Sequence, residues 1–312
     1  MSEVQVDLNE QHATNLFNLK GVVCVVTGGN SGIGLMISST LLANGATVYI
    51  IGPKQADLDR IVGIYNNGAQ KLKSGSGGKM YGLEGDISSK SEAKRLAEEI
   101  GKREPYVTVL FNNAGIIAGQ FTPPSEATSA AYVKAFFDDI TPQEFNSVLN
   151  TNAVGAYWLT FAFLPLLEKW KNSQEEVSKK FVPQVIMTSS MNGWTKDSNT
   201  SGRSYPYMFS KSAIGHATSS LARELLPLGI RVNGIAPGLF PTEMSLPGHS
   251  NEAGITTAPP GTTWNFEIPT VQTGGTKRDV GALALCLITN WFINGETVLI
   301  DGGTLLKHPS SY

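Results

Sequence analysis

The chain has 312 residues, of which 41% are hydrophobic and only 16% are charged. This composition is typical of a globular protein and argues against a disordered one, and the length suits one elaborated domain or two smaller ones. The formal net charge of −2 lacks the positive field that nucleic acids and anionic membranes attract, so neither is an expected partner. The low charge content predicts that subunits or ligands cover part of the surface.

Cysteine content and the start of the chain indicate the compartment. Cys24 and Cys286 are the only cysteines, and Cys24 lies in an apolar run, so we expect no disulfides and a reducing, cytoplasmic environment. Residues 1–19 lack the apolar segment of a secretory signal and are expected to form a leader before one domain over residues 20–312. The uncharged, largely apolar stretch at residues 152–167 is shorter than a membrane span and is interpreted as a buried helix.

The predicted elements alternate between strand and helix along the chain. Apolar, β-branched runs predict strands at 22–27, 47–51, 79–83, 107–112, 185–189, 230–236 and 297–300. Helical periodicity predicts helices at 33–42, 56–65, 91–102, 143–170, 205–226 and 279–288. This alternation predicts the α/β class: a single Rossmann-type, doubly wound domain with a mostly parallel, seven-stranded sheet covered on both faces.

Other segments interrupt this alternation after the leader. Residues 116–142, 171–183 and 240–275 have no apolar core of their own, so they are interpreted as insertions and not as a second domain. The Ser/Gly tract at 74–78 predicts a flexible loop before the third strand.

A glycine-rich loop joins the first predicted strand to the first predicted helix. In such a loop, glycines let the backbone approach a pyrophosphate, and the helix N-terminus supplies N–H donors and a positive dipole. A lone glycine-rich loop can also be a simple tight turn, but the strand before it and the helix after it favour a dinucleotide. The residues expected to contact it are Gly28, Asn30, Ser31, Gly32, Ile33 and Gly34.

A second pattern lies in the predicted helix 205–226. Tyr207 and Lys211 are four residues apart, so they share one helical face and can act as a coupled pair. A tyrosine and a lysine at this spacing also occur as surface decoration. Ser189 and Ser190, however, end a strand at the carboxyl edge of the sheet, where α/β proteins bind their ligands.

Together these motifs resemble the short-chain dehydrogenase/reductase family. The glycine loop has that family's Gly-x-x-x-Gly-x-Gly spacing. Further matches are Asn112-Asn113-Ala114-Gly115 after the fourth strand, Asn233 to Gly238 in the sixth, and Asp301-Gly302-Gly303 near the end. The resemblance covers roughly residues 20–303, with the motifs in the family's order, which a single chance match would not produce.

The resemblance implies a catalytic set of Asn152, Ser190, Tyr207 and Lys211. Tyr207 would be the general acid/base, and Lys211 would lower its pKa and hold the nicotinamide ribose. Ser190 would hydrogen-bond the substrate oxygen; it is chosen over Ser189 because a small Met-Asn-Gly loop follows it, although either serine could simply cap the strand. Asn152 would anchor a water that relays protons.

The resemblance also implies cofactor contacts beyond the glycine loop, with Tyr207 and Lys211 taking part. These are Asp86, Ile87, Asn113, Pro237, Gly238, Phe240 and Thr242. The second predicted strand ends in Gly52-Pro53, without the acid that NAD binders carry there, and Lys54 follows. We therefore expect NADP(H), with NAD less favoured.

The expected function is hydride transfer between NADP(H) and a carbonyl or secondary alcohol of a small to medium apolar substrate, of the 3-oxoacyl or ketone type. In the family, the segment corresponding to 240–275 forms a lid, and here it carries Met244, Leu246, Trp264 and Phe266. With Met191 and Trp194, these side chains would make an apolar pocket under a mobile lid.

Two alternatives remain: an NAD-dependent alcohol dehydrogenase, and a catalytically silent dinucleotide-binding sensor. The sensor is disfavoured because Tyr207 and Lys211 are both present. The histidines are scattered without carboxylate or cysteine spacing, so no metal is expected. A homodimer or homotetramer is expected because the helix around residues 153–170 has little polar face.

Overall fold

The computed structural model describes residues 8–72, 75 and 77–312. Within them, one seven-stranded sheet has all its strands parallel, in the order β3-β2-β1-β4-β5-β6-β7. The strands are β1 (Val23–Thr27), β2 (Thr47–Gly52), β3 (Lys79–Glu84), β4 (Val109–Asn112), β5 (Gln184–Thr188), β6 (Arg231–Pro237) and β7 (Thr297–Ile300). The predicted single α/β domain is confirmed, and the sheet is wholly rather than mostly parallel.

Helices connect these strands and cover the sheet. They are α1 (Ala13–Leu16), α2 (Gly32–Ala43), α3 (Gln55–Gln70), α4 (Lys90–Arg103), α5 (Ser129–Val133), α6 (Pro142–Leu149), α7 (Gly155–Lys171), α8 (Tyr205–Glu224), α9 (Lys277–Thr289) and α10 (Thr304–Lys307). Every residue of β1, β4, β5 and β6 is buried, as expected for strands covered on both faces. The strand order reverses between β1 and β4, and α/β sheets bind ligands at such a point.

The helix predicted over 143–170 is interrupted. Between α6 and α7, residues Asn150–Val154 form a π-helical turn, which the apolar periodicity did not predict. Asn152 lies in this turn, and its side chain hydrogen-bonds both backbone groups of Ile116. Turns of this kind in helices are often found at functional sites.

Helix α3 continues to Gln70, beyond the predicted end at residue 65. The sequence Asn66-Asn67-Gly68 favours a break in the helix, but Asn66 is held by the edge of the sheet. Its amide donates to Met80 O at 2.9 Å, and its Oδ1 accepts from Met80 N at 2.8 Å. A tertiary contact therefore overrides the local preference.

The insertions differ in structure. Residues 116–142 contain α5 and a π-helical turn at Lys134–Asp138, whereas 240–275 contains neither helix nor named strand. The predicted flexible loop at 74–78 and the predicted leader fall partly outside the described residues. Leu19 is fully buried and its N–H bonds Asn44 O, so the core begins one residue before the predicted domain start. In the described part of the chain, no helix is long and apolar enough to cross a membrane.

Candidate active site

A cavity of about 920 Å³ opens at the carboxyl ends of the central strands. Most of the residues predicted for the site line it: Gly28, Asn30, Ser31, Gly32, Ile33, Gly34, Asp86, Ile87, Asn113, Ser190, Tyr207, Lys211, Pro237, Gly238 and Thr242. Asn152, Lys54 and Phe240 are not among its lining residues. The cavity is therefore one continuous cleft from the glycine-rich loop to Tyr207.

The glycine-rich loop has the backbone geometry that phosphate binding needs. Gly28 and Gly32 have φ values of 63° and 50°, a region that disfavours residues with a Cβ. A Cβ on Gly34 would overlap the Gly28 carbonyl. Ser31 precedes α2 without capping it by its side chain, so the first-turn N–H groups lie at the cavity wall and can donate to an anion.

Hydrogen bonds connect the ends of β1, β4 and β5 beneath this loop. Thr27 Oγ1 accepts from the backbone N–H groups of Asn113 and Ala114 at 2.9 and 3.0 Å. The Asn113 amide donates to Thr27 O at 3.0 Å, and its oxygen accepts from the Thr188 hydroxyl at 3.3 Å. Thr27 and Thr188 thus brace the floor of the cleft, a role that no local sequence signal indicated.

Tyr207 and Lys211 lie on the face of α8 that borders the cavity. The Lys211 Nζ donates to Thr188 O at 2.8 Å and lies 5.6 Å from the centroid of the Tyr207 ring. The Ser190 hydroxyl donates to Pro237 O at 3.3 Å and accepts from Asn192 N at 3.2 Å, whereas the Ser189 hydroxyl donates to Lys211 O at 2.7 Å. Both serines line the cavity, and the Ser189 hydroxyl is the one that bonds α8; the choice of Ser190 for the substrate oxygen stays a prediction.

The protonation of the pair differs from the expectation. Burial raises the pKa of the Tyr207 phenol, and the hydrogen bond with Ser190 offsets this only in part. Burial also lowers the pKa of Lys211 to about 8. The expected lowering of the Tyr207 pKa by Lys211 is therefore not what the chain's own groups produce, because both groups lose solvation in the cavity wall.

Asn152 lies next to the cavity rather than in its wall. Its Oδ1 accepts from Ile116 N at 2.8 Å, and its Nδ2 donates to Ile116 O at 2.9 Å and to the Ser210 hydroxyl at 3.0 Å. A Cβ on Gly115 would lie 3.2 Å from Asn152 Oδ1 and 3.4 Å from Lys211 Nζ. The amide thus braces the segment after β4 against α8, close to Lys211.

The end of the cavity near β2 contains charged side chains. Lys54 is exposed, between the lining residues Pro53 and Gln55. Arg95, which the sequence analysis missed, lines the cavity and is paired with Glu92 at 2.7 Å. Arg95 is on α4, and nothing in its local pattern indicates that the fold brings α4 to the end of β2.

Phe240 is not where the resemblance suggested. Its ring is buried in the core against Gly275, where an added Cβ would overlap the ring. Its carbonyl oxygen accepts from the Ser245 hydroxyl at 2.9 Å. The apolar packing of the ring decides this orientation.

The proposed apolar pocket is also only partly formed by the expected side chains. Met244 lines the cavity; the others, which are Met191, Trp194, Leu246, Trp264 and Phe266, do not. Met191 is buried beneath its turn, and Trp194 contacts the ring of Tyr312 at 4.9 Å between centroids. Long-range contacts thus direct these side chains away from the cleft.

The first part of the predicted lid is fixed to the body of the protein. Glu243 accepts hydrogen bonds from Gly248 N and the Ser250 hydroxyl. From α3, Arg60 donates to Glu252 O, and Tyr65 donates to Ala253 O.

Among the described residues, no group of three or more His, Cys, Asp or Glu side chains could hold a metal ion.

The comparisons with known proteins agree with this geometry. The family model for short chain dehydrogenases matches residues 22–253. This chain belongs to the short-chain dehydrogenase family. It is accordingly an oxidoreductase that acts on CH–OH groups, in a family that uses NAD or NADP and binds small-molecule substrates.

Relatives of known name cover almost the whole chain. The short-chain dehydrogenase/reductase PhomF of Diaporthe leptostromiformis is 32% identical over 96% of this chain and 97% of its own length. Galactitol 2-dehydrogenase of Rhizobium johnstonii is 27% identical over 92% and 96%. The RhlG/NADP active-site complex of Pseudomonas aeruginosa superposes with a TM-score of 0.68 at 26% identity, covering 93% of this chain and 98% of that one.

Proposed function

We propose that this protein transfers a hydride between NADP(H) and a carbonyl or secondary alcohol of a small to medium apolar substrate, of the 3-oxoacyl or ketone type. One observation carries the proposal. Tyr207, Ser190 and Lys211 meet in the wall of the same cleft that holds the glycine-rich loop. A cofactor bound by the loop would thus be within reach of a proton donor.

The residues of the cleft fit a dinucleotide. The backbone of residues 28–34 and the N-terminus of α2 would hold the pyrophosphate. Asp86 and Ile87 would line the adenine site, and Asn113, Pro237, Gly238 and Thr242 the remaining wall, with Lys211 at the nicotinamide ribose. When bound, the nicotinamide supplies or accepts the hydride.

The chain's own residues handle the proton. Tyr207, whose pKa burial keeps raised, donates its proton to the alkoxide oxygen that forms on reduction. Ser190 hydrogen-bonds that oxygen and stabilises its developing charge. Lys211, with an amino group fixed by Thr188 O, stabilises the tyrosinate that remains, and Asn152 keeps the adjacent backbone in position.

Several observations support the NADP(H) preference. No acid follows β2, and Lys54 lies at the rim of the cavity end that Arg95 lines. Nearby acids have partners: Glu92 pairs with Arg95, and Glu84 accepts from Gln55 N at 2.8 Å. The RhlG structure, 26% identical, is an NADP complex.

The substrate class is supported by apolar side chains in the cavity wall. Ile116 and Met244 line the same cavity as Tyr207. A 3-oxoacyl-[acyl-carrier-protein] reductase of Pseudomonas aeruginosa, named for rhamnolipid biosynthesis, is 28% identical over 92% of this chain and 97% of its own length. We further propose that the enzyme acts in the cytoplasm as a homodimer or homotetramer.

A matched pair of tyrosine variants tests the proposal. The parent should oxidise NADPH with 3-oxoacyl thioesters or aromatic ketones. Tyr207→Phe should lower the rate by about 100-fold or more while NADPH affinity, followed by fluorescence, stays within about twofold. Tyr205→Phe, on the exposed side of the same helix, is the control and should behave as the parent. A Tyr207→Phe rate within a fewfold of the parent would reject the assigned role.

A further inference from the structure

Residues 308–312, here termed the clamp segment, lie along the loop that follows Ser190. Ser310 forms an isolated antiparallel bridge with Thr195. Lys196 N donates to Pro309 O at 2.7 Å, and Ser311 N donates to Trp194 O at 2.9 Å. The segment thus adds a short strand-like contact to a loop that otherwise has only 3₁₀ turns.

His308 adds a side-chain contact at the start of the clamp segment. Its Nδ1 lies 2.9 Å from Asp197 Oδ2, with both side chains mostly buried. Burial raises the pKa of the Asp197 carboxyl, but hydrogen bonds from Asn199 N and from His308 outweigh burial and leave the pKa below its usual value. Asp197 is therefore a carboxylate that holds both the loop and the clamp segment.

A chain of contacts leads from Asp197 to the catalytic serine. The Thr200 hydroxyl lies 2.9 Å from Asp197 O and 3.0 Å from Asn192 Oδ1. Asn192 N donates to Ser190 Oγ at 3.2 Å. Since Asn192 and Thr200 are both buried, solvent does not compete strongly for these bonds, and a shift at Asp197 would reach Ser190.

The clamp segment also contacts the far part of the 240–275 insertion. The ring of Phe266 meets the His308 ring edge-on, at 6.0 Å between centroids. His308 thus contacts both the loop that follows Ser190 and the 240–275 insertion. Ser190 from the first and Met244 from the second line the cavity.

We propose that the clamp segment sets the position of Ser190 and of the adjoining substrate wall, with His308 as a positioning residue that acts through Asp197. This rests on the proposed function, because positioning matters only if Ser190 binds a substrate oxygen. It adds a specificity element from the opposite end of the sequence. A packed end of chain without this role would stabilise the fold but leave substrate affinity unchanged.

Substitutions at His308 separate these roles. His308→Ala should raise the KM for the carbonyl substrate about fivefold or more, with NADPH affinity unchanged. His308→Asn, whose amide can donate to Asp197 from a position near that of Nδ1, should recover most of the loss. Asp197→Ala should raise the KM at least as much as His308→Ala, because it also removes the bonds from Asn199. The double variant should be no worse than Asp197→Ala alone, because the Asp197–His308 contact is already lost in that variant. Leu306→Ala, at a side chain 89% exposed, is the control.

Hydrogen exchange provides a readout that needs no turnover. In His308→Ala, amides of residues 191–201 should exchange faster, while those of β1 and β4 keep the parent's protection. Unchanged exchange at 191–201 would overturn the proposal, and so would faster exchange with an unchanged KM in the active enzyme. An inactive parent would instead reject the proposed function, and the exchange result would still decide whether His308 holds the loop.

Discussion

Lys211 carries its amino group into the protein interior, where only 4% of the residue is exposed. Burial lowers its pKa from 10.5 to about 8, so the folded state binds this proton less tightly than the unfolded state. The cost to stability is present in full below pH 8 and disappears as pH rises from 8 to 10.5. Lys211, a residue proposed for catalysis, thus destabilises the folded state at neutral pH.

Replacing this residue should therefore separate stability from activity. Lys211→Met should raise the free energy of unfolding at pH 7 by about 1–2 kcal/mol, since the pKa shift corresponds to about 3 kcal/mol and the lost hydrogen bond to Thr188 O returns about 1 kcal/mol. Turnover should be lost. Urea unfolding at pH 7 and pH 10 measures the free energy of unfolding of both proteins. The stability that the variant gains over the parent should be smaller at pH 10. A variant less stable than the parent at pH 7 would show that the amino group is a net contributor to the fold.

Lys54 is the cation that the sequence offers for an adenosine 2′-phosphate. Because it is exposed, its attraction to the phosphate is screened, and Lys54→Ala should lower NADPH affinity by on the order of fivefold. NADH affinity should stay unchanged. Fluorescence titration with each cofactor measures the ratio of the NADPH and NADH affinities. Lys71→Ala, at the other end of α3, is the matched control. Equal affinities for the two cofactors in the parent would contradict the NADP(H) preference.

At the scale of elements, the insertion 240–275 has two parts with different attachments. Arg60 and Tyr65 of α3 hydrogen-bond residues within 243–256. In the described part of the chain, no hydrogen bond joins α3 to residues 257–267. Long segments without regular structure in compact domains often act as lids. We expect lid movement in the second part.

Limited proteolysis tests this division. Cleavage of the free protein should fall within residues 257–267, and NADPH with a substrate analogue should slow it severalfold. Cleavage first within 243–256 would contradict the division. Cleavage at 257–267 that ligands do not slow would contradict the lid.

For the whole molecule, apolar residues remain exposed across the two helices beside the active site. Tyr157 on α7 is 45% exposed and Phe209 on α8 is 53% exposed, with Val154 nearby in sequence. Trp158, in contrast, lies under the Lys90 ammonium at 4.6 Å. Exposed apolar side chains that cluster commonly mark a protein interface.

We expect a second copy of the chain to cover these side chains. Light scattering at micromolar concentration should give a dimer or tetramer mass, and the pair Tyr157→Glu and Phe209→Glu should shift it toward the monomer because each places a charge in an apolar contact. Phe292→Glu, on an almost fully exposed loop, is the control for added charge alone. A monomeric parent would rule out the oligomer.

The sequence by itself determined the sheet and the two ends of the cleft. Alternating strand and helix patterns predicted all the strands, and 297–300 was predicted to the residue. The glycine-rich loop and the Tyr207/Lys211 pair were equally clear. Each of these signals is local, since a strand, a tight turn or a helix face is specified by residues within a few positions of one another.

Only the tertiary structure decided how distant segments meet. It brought Arg95 to the cavity, turned Phe240 into the core, opened a π-helical turn around Asn152 and laid residues 308–312 along the loop after Ser190. It also set the directions in which the pKa values of Tyr207 and Lys211 shift, because desolvation depends on the atoms packed around a group. These features come from contacts between residues far apart in the chain, which composition and periodicity do not encode.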